Sequence, residues 1–437
     1  MRSLTRVIGL ALLVSVFSLS SPNLTAKPKP TKNAEALQKL ELFADIFARV
    51  RSEYVDEVSD KDLIDKALNG ALETLDPHSH YVPPTDFKES QKSALREYGG
   101  LGIEVTLDKG LVLVNYVNED GPAYRAGLKK GDYIVAVEGE NILGKTLNDA
   151  VEGMRGLAGD AITVTVRTDD NDRDISIVRE VIRSRAIRHR VEDGMGYVFL
   201  ETFNNDRLTR DLERALNALK SEIGGKVPGL IIDLRSNRGG LLDQSVSVSG
   251  LFLDGGEVLS SRGRKPEDTE RYNAKPGQWD ADMPIVVLTN SSSASAAEIV
   301  AGALQDRGRA IVMGRRSFGK GSVQSVIPLS NNNGALRLTT ARYYTPSGKS
   351  IQGRGILPDK LVALRPDTGE IVERFREDKL PNALGNKDVS DYEEQYEDID
   401  YPPEDWPLTE DYQISKAVEL LKSPEYKTLL SQYNTRP

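Results

Sequence analysis

One stretch of the sequence, residues 284–324, contains a serine and a lysine at positions suited to nucleophilic catalysis. The short β-branched run Ile285–Leu288 predicts a buried strand, and helical spacing that begins at Ala296 puts Ser295 where the following turn becomes a helix. Lys320 follows further along the same stretch, between two glycines. A serine hydroxyl becomes an effective nucleophile when a base removes its proton, and a buried, neutral lysine can be that base. The backbone N–H of Ala296 would then face the developing oxyanion.

Two other interpretations of this stretch remain open. Ser295 and Glu298 have the spacing of a capping box, in which the serine caps the helix and the glutamate reaches back; this role is compatible with catalysis. Gly314–Lys320 matches the GxxxxGK pattern of a phosphate loop, but Gly321 stands where that motif needs serine or threonine. The residues that follow predict a strand, whereas a phosphate loop opens a helix, so nucleotide binding is disfavoured.

The same stretch resembles the C-terminal processing peptidases, also called tail-specific proteases, which are serine proteases with a Ser–Lys dyad. The resemblance rests on Ser293–Glu298, which reads SASAAE, and on Phe318–Gln324, which reads FGKGSVQ. By that match Ser295 is the nucleophile, Lys320 is the general base and Gln324 orients the lysine.

Composition limits the class of protein. A chain of 437 residues predicts two or three domains, and 39% hydrophobic with 28% charged residues is typical of a soluble globular protein. A net charge of −9 without a basic face argues against nucleic acid as a partner. The absence of cysteine excludes disulfides, a cysteine nucleophile and thiolate metal sites.

The N-terminal residues 1–26 predict a signal peptide. Arg2 and Arg6 precede the apolar run Val7–Leu19, which is too short for a stable membrane span. An uncleaved membrane anchor is the alternative. Both interpretations predict that the remainder of the chain is exported. The family resemblance implies the periplasm of a Gram-negative bacterium, with membrane association in the case of an anchor.

Residues 34–95 predict a helical region with one helix over Ala34–Tyr54 and a second that Ser59 caps. The apolar stripe of the first helix fits either an intramolecular core face or an oligomer seam. The segment that follows, reading LDPHS, is another family hallmark, and the family uses this region in some members to pair protomers. His78 and His80 are interpreted as loop-stabilising residues because no third metal ligand is evident.

Residues 96–180 are rich in predicted strands and resemble a PDZ domain. The loop that would bind a peptide carboxylate consists of Gly100, Leu101, Gly102 and Ile103. Glycines suit such a loop because backbone N–H groups must converge on the carboxylate and side chains would block them. Arg155, at the end of the predicted PDZ helix, matches a signal-relaying arginine of some relatives; a solvated charge at a helix end is the alternative.

Residues 181–370 alternate predicted strands and helices and form the predicted protease core. The segment Asp233–Gly240 resembles the family pattern DLRxNPGG, with Arg238 where proline is usual. Glycine lets a backbone N–H approach a substrate carbonyl, so Gly239 or Gly240 is the second oxyanion-hole candidate beside Ala296. Residues 371–437 are predicted to form an acidic tail, which is expected to be loosely ordered over about 388–411 and to contain a helix near 414–421.

Together these features predict an α/β protease core, in the family a crotonase-like sheet with flanking helices, preceded by an inserted β-rich PDZ domain and an N-terminal helical region. The resemblance implies a serine endopeptidase of the cell envelope that selects exported substrates through their C-termini. It implies no metal or cofactor, a homo-oligomer of two or more chains, and in some members a lipoprotein adaptor. The alternative is a proteolytically inert PDZ-bearing scaffold.

Overall fold

A computed structural model of the chain describes residues 32–88, 98–108, 110–118, 121–168, 171–181, 186–364, 376–386 and 399–432. The predicted signal peptide or anchor at residues 1–26 lies outside these ranges. Within them, no helix has both the length and the apolar character needed to cross a membrane.

The first of two compact units ends at Ile64 and consists of helix α1 (Lys32–Glu53) and the start of helix α2 (Asp60–Glu73). Both helices lie within two residues of their predicted positions, and Ser59 Oγ accepts a hydrogen bond from the Asp62 N–H at 3.4 Å. The apolar stripe of α1 is largely exposed, with 63% of Leu40 accessible to solvent. Both interpretations of the stripe, a core face and an oligomer seam, stay predictions.

The second unit begins at Asp65 and contains everything that follows. Its first part is a β-rich region with one apolar core that extends from Leu101 to Ile177. The main sheet of this region has the strand order β3-β4-β5-β8-β9, with β6 on β5, and a small sheet has the order β10-β2-β7. The strands and helices are β2 (Tyr98–Gly100), β3 (Ile103–Asp108), β4 (Leu111–Val117), α3 (Pro122–Arg125), β5 (Tyr133–Val137), β6 (Glu140–Asn141), α4 (Leu147–Met154), β7 (Gly156–Leu157), β8 (Ala161–Thr168), β9 (Asn171–Val178) and β10 (Glu180–Val181).

The predicted protease core is built on a six-stranded sheet of order β11-β12-β13-β16-β17-β20. From β12 onward the strands are parallel, and only β11 pairs in the antiparallel sense. The elements are β11 (Ile187–Glu192), β12 (Met195–Leu200), α5 (Leu208–Ile223), β13 (Leu230–Asp233), α6 (Leu242–Gly250), β16 (Ile285–Thr289), α7 (Ala296–Asp306), β17 (Ile311–Gly314), β20 (Lys360–Leu361), α8 (Tyr412–Lys422) and α9 (Glu425–Ser431).

Helices cover both faces of this sheet because successive side chains of a strand point to opposite faces. On β13, Leu230 and Ile232 pack in the cluster that includes residues of α5, α6 and α7. Ile231, between them, packs in the second cluster with residues of α8 and α9. The predicted α/β core with flanking helices is confirmed, and its four fully buried strand residues at 230–233 explain the apolar run in the sequence.

The same unit contains a second sheet, which is antiparallel and includes the strand that follows Lys320. Its order is β1-β19-β14-β15, with β18 paired to β19. The strands are β1 (His80–Val82), β14 (Gly256–Arg262), β15 (Thr269–Ala274), β18 (Ser322–Pro328) and β19 (Ala335–Tyr344). Because β18 begins two residues after Lys320, this sheet fixes one end of the lysine loop. The strand after the GxxxxGK segment also removes the helix that a phosphate loop requires.

In the C-terminal tail, α8 lies where a helix is predicted near 414–421, and residues 388–398 of the segment predicted to be loosely ordered lie outside the described ranges. Residues of α8 pack against the sheet, and the Tyr426 hydroxyl accepts a hydrogen bond from the Ile285 N–H at 2.9 Å. Glu377, in the short 3-10 helix Glu377–Lys379, is fully buried. The described parts of the tail are ordered because an otherwise open face of the sheet is apolar and needs to be covered.

Candidate active site

Ser295 lies at the junction between the β16 turn and helix α7, as the sequence predicts. Its backbone has φ 56° and ψ −114°, a combination that residues other than glycine rarely adopt and that costs about 1–3 kcal/mol. The turn is fixed on its N-terminal side, where the Ala294 N–H donates to the Asn237 carbonyl at 2.9 Å. Strain at the predicted nucleophile is therefore opposed by specific hydrogen bonds.

Glu298 is the centre of the hydrogen bonds that hold this junction. The side chain is fully buried, and its Oε2 accepts from the Ser295 N–H at 2.8 Å, as a capping box predicts. The same Oε2 accepts from the Lys320 N–H at 2.8 Å. Oε1 accepts from the Gly319 N–H at 2.6 Å and from the Ser317 hydroxyl at 2.5 Å. One carboxylate thus fixes the backbone of both the predicted nucleophile and the predicted base.

The protonation of Glu298 reflects two opposing effects. Complete burial is the larger one and raises the pKa of Glu298 to about 7, because the ionised form loses its hydration. The hydrogen bonds from Ser317, Ser295, Gly319 and Lys320 stabilise the ionised form and oppose that rise.

Lys320 is half-buried in a loop that Glu298 fixes from one side. Among the described residues, its Nζ forms no hydrogen bond or ion pair, so the Ser295–Lys320 hydrogen bond of a dyad is not made in this structure. Gln324, on β18, donates to Ser322 Oγ at 2.8 Å and to Thr339 Oγ1 at 3.3 Å rather than to the lysine. The catalytic roles of these residues remain predictions.

The oxyanion-hole candidates come together at the serine. Gly239 has φ 94°, and a Cβ there would lie 2.9 Å from both the Ala296 nitrogen and Ser295 Cβ, so only glycine allows this approach. Its N–H donates to Asn237 Oδ1 at 2.8 Å. Within the described ranges, neither the Ala296 N–H nor the Gly240 N–H forms a hydrogen bond. Of the two glycines, Gly240 thus has the donor that is open to a ligand, while Gly239 packs against the serine.

The loop that contains these glycines is also held from the C-terminal tail. Arg235 forms an ion pair with Asp233 at 2.6 Å and with Asp411 at 2.8 Å, and its side chain is 12% exposed. Burial alone would lower the pKa of Arg235, but the two carboxylates outweigh it and raise the pKa. Arg238, which replaces the usual proline, is exposed. The departure from the family pattern therefore falls on a solvent-facing side chain.

In the PDZ-like region, Leu101 is buried in the apolar core and Gly102 has φ 75°, which requires glycine. Ile103 begins strand β3 directly after this turn. Arg155 lies at the C-terminus of α4, half-exposed, and forms an ion pair with Glu152 of the same helix at 2.6 Å. This contact is the one expected of a charge at a helix end.

Four polar residues are connected by hydrogen bonds to the lysine loop or to Gln324, and of these the sequence analysis singled out only His78, as a loop-stabilising residue. Two lie in the LDPHS turn and two in distant segments: Asp76, His78, Gln352 and Glu377. The sequence signalled only the turn, since nothing in the pattern around residues 352 and 377 indicates what they contact. Among the described residues, no cluster of three or more histidine, aspartate or glutamate side chains could hold a metal ion.

Comparison with known proteins gives the family. Residues 194–362 match the model described as "Peptidase family S41", and residues 113–168 match "PDZ domain". The chain is 48% identical over 354 residues to a carboxy-terminal-processing protease of Bartonella bacilliformis, covering 80% of this chain and 81% of that protein. The chain belongs to the carboxy-terminal-processing proteases of peptidase family S41. It is therefore a serine-type peptidase with a PDZ domain.

The chain is also similar to two further proteins. It is 29% identical over 360 residues to the "Probable CtpA-like serine protease" of Staphylococcus epidermidis, covering 82% of this chain and 72% of the relative. Among solved structures, it matches the photosystem II D1 C-terminal processing protease with 28% identity and a TM-score of 0.45, covering 79% of this chain and 99% of that one.

The substitution Glu298→Gln tests whether the pKa of Glu298 is raised. Burial raises the pKa of Glu298 from 4.5 to about 7. The contribution of this group to the free energy of unfolding is therefore fully present below about pH 4.5 and is lost as the pH rises through 7. Relative to the non-titrating variant, the wild type should lose up to about 3 kcal/mol of unfolding free energy across that range. Urea unfolding of both proteins at several pH values measures the difference.

The exposed Glu213, on α5, provides the matched control, and Glu213→Gln should follow the wild type at every pH. If Glu298→Gln also showed the same pH dependence as the wild type, the raised pKa would be wrong.

Proposed function

We propose that the protein is an endopeptidase that cleaves peptide bonds with a Ser295–Lys320 dyad. Ser295 Oγ attacks the scissile carbonyl carbon while neutral Lys320 Nζ takes the hydroxyl proton, and the C–N bond then breaks as the lysine returns that proton to the leaving amine. Water, deprotonated by the same lysine, hydrolyses the acyl-enzyme. The main support is Glu298, which binds the backbone N–H groups of both Ser295 and Lys320.

The oxyanion would be stabilised by the N–H of Ala296 and by a glycine N–H from Gly239 or Gly240. The free Gly240 N–H and the close approach of Gly239 to Ser295 support this placement. Gln324 would orient the lysine. Its Nε2 already donates to Ser322 and Thr339, so its Oε1 is the atom that would accept from Lys320 Nζ after the lysine changes rotamer on substrate binding. Catalytic hydrogen bonds commonly tighten only in the substrate complex.

The dyad is tested with single substitutions. Ser295→Ala and Lys320→Ala should fold normally yet lose casein cleavage by a factor of at least about 10³. Lys320→Arg should not restore activity, because a guanidinium stays charged and cannot accept the serine proton.

Chelators supply the control for this experiment, since a Ser–Lys mechanism uses no metal. Activity that is lost in EDTA and returns with added metal would contradict the mechanism. So would near-normal turnover by a well-folded Lys320→Ala enzyme.

We further propose that substrates are selected through their C-termini at Gly100, Leu101, Gly102 and Ile103. The positive φ of Gly102 and the start of strand β3 at Ile103 support a loop that receives a carboxylate beside a strand edge. Arg155 is the candidate residue that relays the signal of peptide binding from this loop. This role requires substrate to break the ion pair between Arg155 and Glu152.

Amidation of the substrate provides the test of carboxylate recognition. A peptide with a free C-terminus should have a lower KM than the same peptide amidated, because the amide removes the charge that the backbone N–H groups bind. Equal KM values for the two peptides would reject carboxylate capture, whatever the value of kcat.

The exposed apolar stripe of α1 supports a homo-oligomer of two or more chains. Leu37, Leu40, Phe43 and Ile46 are each between 45% and 63% exposed, which is unusual for large apolar residues of one helix. Replacement of Leu40 and Phe43 by lysine should convert the oligomer to monomer in sedimentation equilibrium. A wild type that is already monomeric would contradict this proposal.

We place the protein in the periplasm of a Gram-negative bacterium, with residues 1–26 as a signal peptide or an anchor and with a lipoprotein as a candidate adaptor. The support is the N-terminal pattern of two arginines before an apolar run. Fractionation of cells followed by N-terminal sequencing distinguishes a cleaved signal from an anchor, and recovery in the cytosol would contradict export.

A further inference from the structure

The LDPHS turn contacts the lysine loop through a chain of buried polar groups. His78 Nε2 donates to Glu377 at 2.8 Å to Oε1 and 3.0 Å to Oε2. Glu377 Oε1 also accepts from Gln352 Nε2 at 2.9 Å. Gln352 Oε1 in turn accepts from the Gly321 N–H at 3.1 Å. Three side chains therefore connect a turn near the N-terminus to the residue that follows Lys320.

Because the hydrogen-bonded side chains of His78, Glu377 and Gln352 are buried, the series is sensitive to the loss of any one of them. Glu377 and Gln352 have no exposed surface, and 18% of the His78 side chain is exposed. A buried polar group that loses its partner is costly, so each group strongly favours the geometry that satisfies the next. The position of His78 at one end of this series of hydrogen bonds consequently affects the position of the Gly321 N–H at the other end.

The last hydrogen bond acts on a peptide group that belongs partly to Lys320. The Gly321 N–H is in the plane that includes the Lys320 carbonyl. The preceding plane includes the Lys320 N–H, which Glu298 binds. With both planes fixed, φ and ψ of Lys320 are fixed, and these angles set the direction in which its side chain leaves the backbone.

Glu377 holds the loop at a second point, since its own N–H donates to the Phe318 carbonyl at 3.1 Å. A parallel arm starts from Asp76, which accepts from Thr339 Oγ1 at 3.1 Å. Thr339 Oγ1 accepts from Gln324 Nε2 at 3.3 Å. The same turn is thus connected to the lysine loop and to the glutamine proposed to orient the lysine.

We propose that His78 is a positioning residue for proteolysis, acting through Glu377 and Gln352 on the peptide group between Lys320 and Gly321. This inference rests on the proposed function, because it requires Lys320 to be the base. His78 touches neither the proposed nucleophile nor the base, so its effect falls on the alignment of Lys320 and not on substrate binding. Small misalignments of a catalytic group lower kcat strongly.

The test compares substitutions of two histidines in the same turn. His78→Leu removes the donor to Glu377 and should lower kcat for casein-derived peptides by about tenfold to hundredfold, with KM within about twofold of wild type. His78→Gln retains an N–H near the position of Nε2 and should recover most of kcat. His80→Leu is the control, because His80 Nδ1 donates only to the His78 carbonyl within the turn.

Amide hydrogen exchange of residues 318–323 supplies a readout that does not depend on turnover. Exchange should be faster in His78→Leu than in wild type and unchanged in His80→Leu and His78→Gln. Should His78→Leu fail to fold, Gln352→Met removes the hydrogen bonds at the other end of the series, next to Gly321. This variant should give the same loss of kcat and the same faster exchange.

The outcomes separate this proposal from the proposed function. If wild type cleaves no better than Ser295→Ala, the proposed function fails, and the exchange comparison alone decides whether His78 fixes the loop. If wild type is active, a folded His78→Leu enzyme with kcat within about twofold of wild type overturns the positioning role. Equal losses in His78→Leu, His78→Gln and His80→Leu would also overturn it, because a general weakening of the turn would explain them.

Discussion

The active site depends on one buried carboxylate. Glu298 binds the N–H groups of Ser295, Gly319 and Lys320 and the hydroxyl of Ser317, so two loops that follow different strands converge on one side chain. Burying a carboxylate without a cation costs desolvation free energy, and the four hydrogen-bond donors offset part of this cost. The same contacts oppose the backbone strain at Ser295, which the local sequence alone would not maintain.

Local sequence patterns predicted much of the fold. The apolar β-branched run at 285–288 located β16, and helical spacing from Ala296 located α7, since both elements are buried as their patterns require. Strands β14 and β15 were missed because they form part of an antiparallel sheet with fewer apolar residues. Apolar spacing also located α8, which covers a face of the sheet, whereas the 3-10 helix that buries Glu377 was missed because acidic composition dominates the tail.

The candidate site was predictable where chemistry and spacing coincide in one segment. Ser295, Glu298 and Lys320 lie in a single stretch, and the capping-box spacing indicated that Glu298 turns back to the serine. Contacts between distant segments leave no such signal. The pairing of His78 with Glu377 spans 299 residues, and a glutamate in an acidic tail resembles its solvated neighbours until the fold is known.

The Arg235 ion pairs have a consequence for the order in which the core assembles. Asp411, at the start of α8, completes the contacts of the loop that contains Gly239, and Tyr426 binds the first residue of the strand that leads to Ser295. Both residues follow the whole second sheet along the chain. Because domains fold as units, we expect the loop beside Ser295 to reach its folded geometry only when α8 and α9 have docked on the sheet.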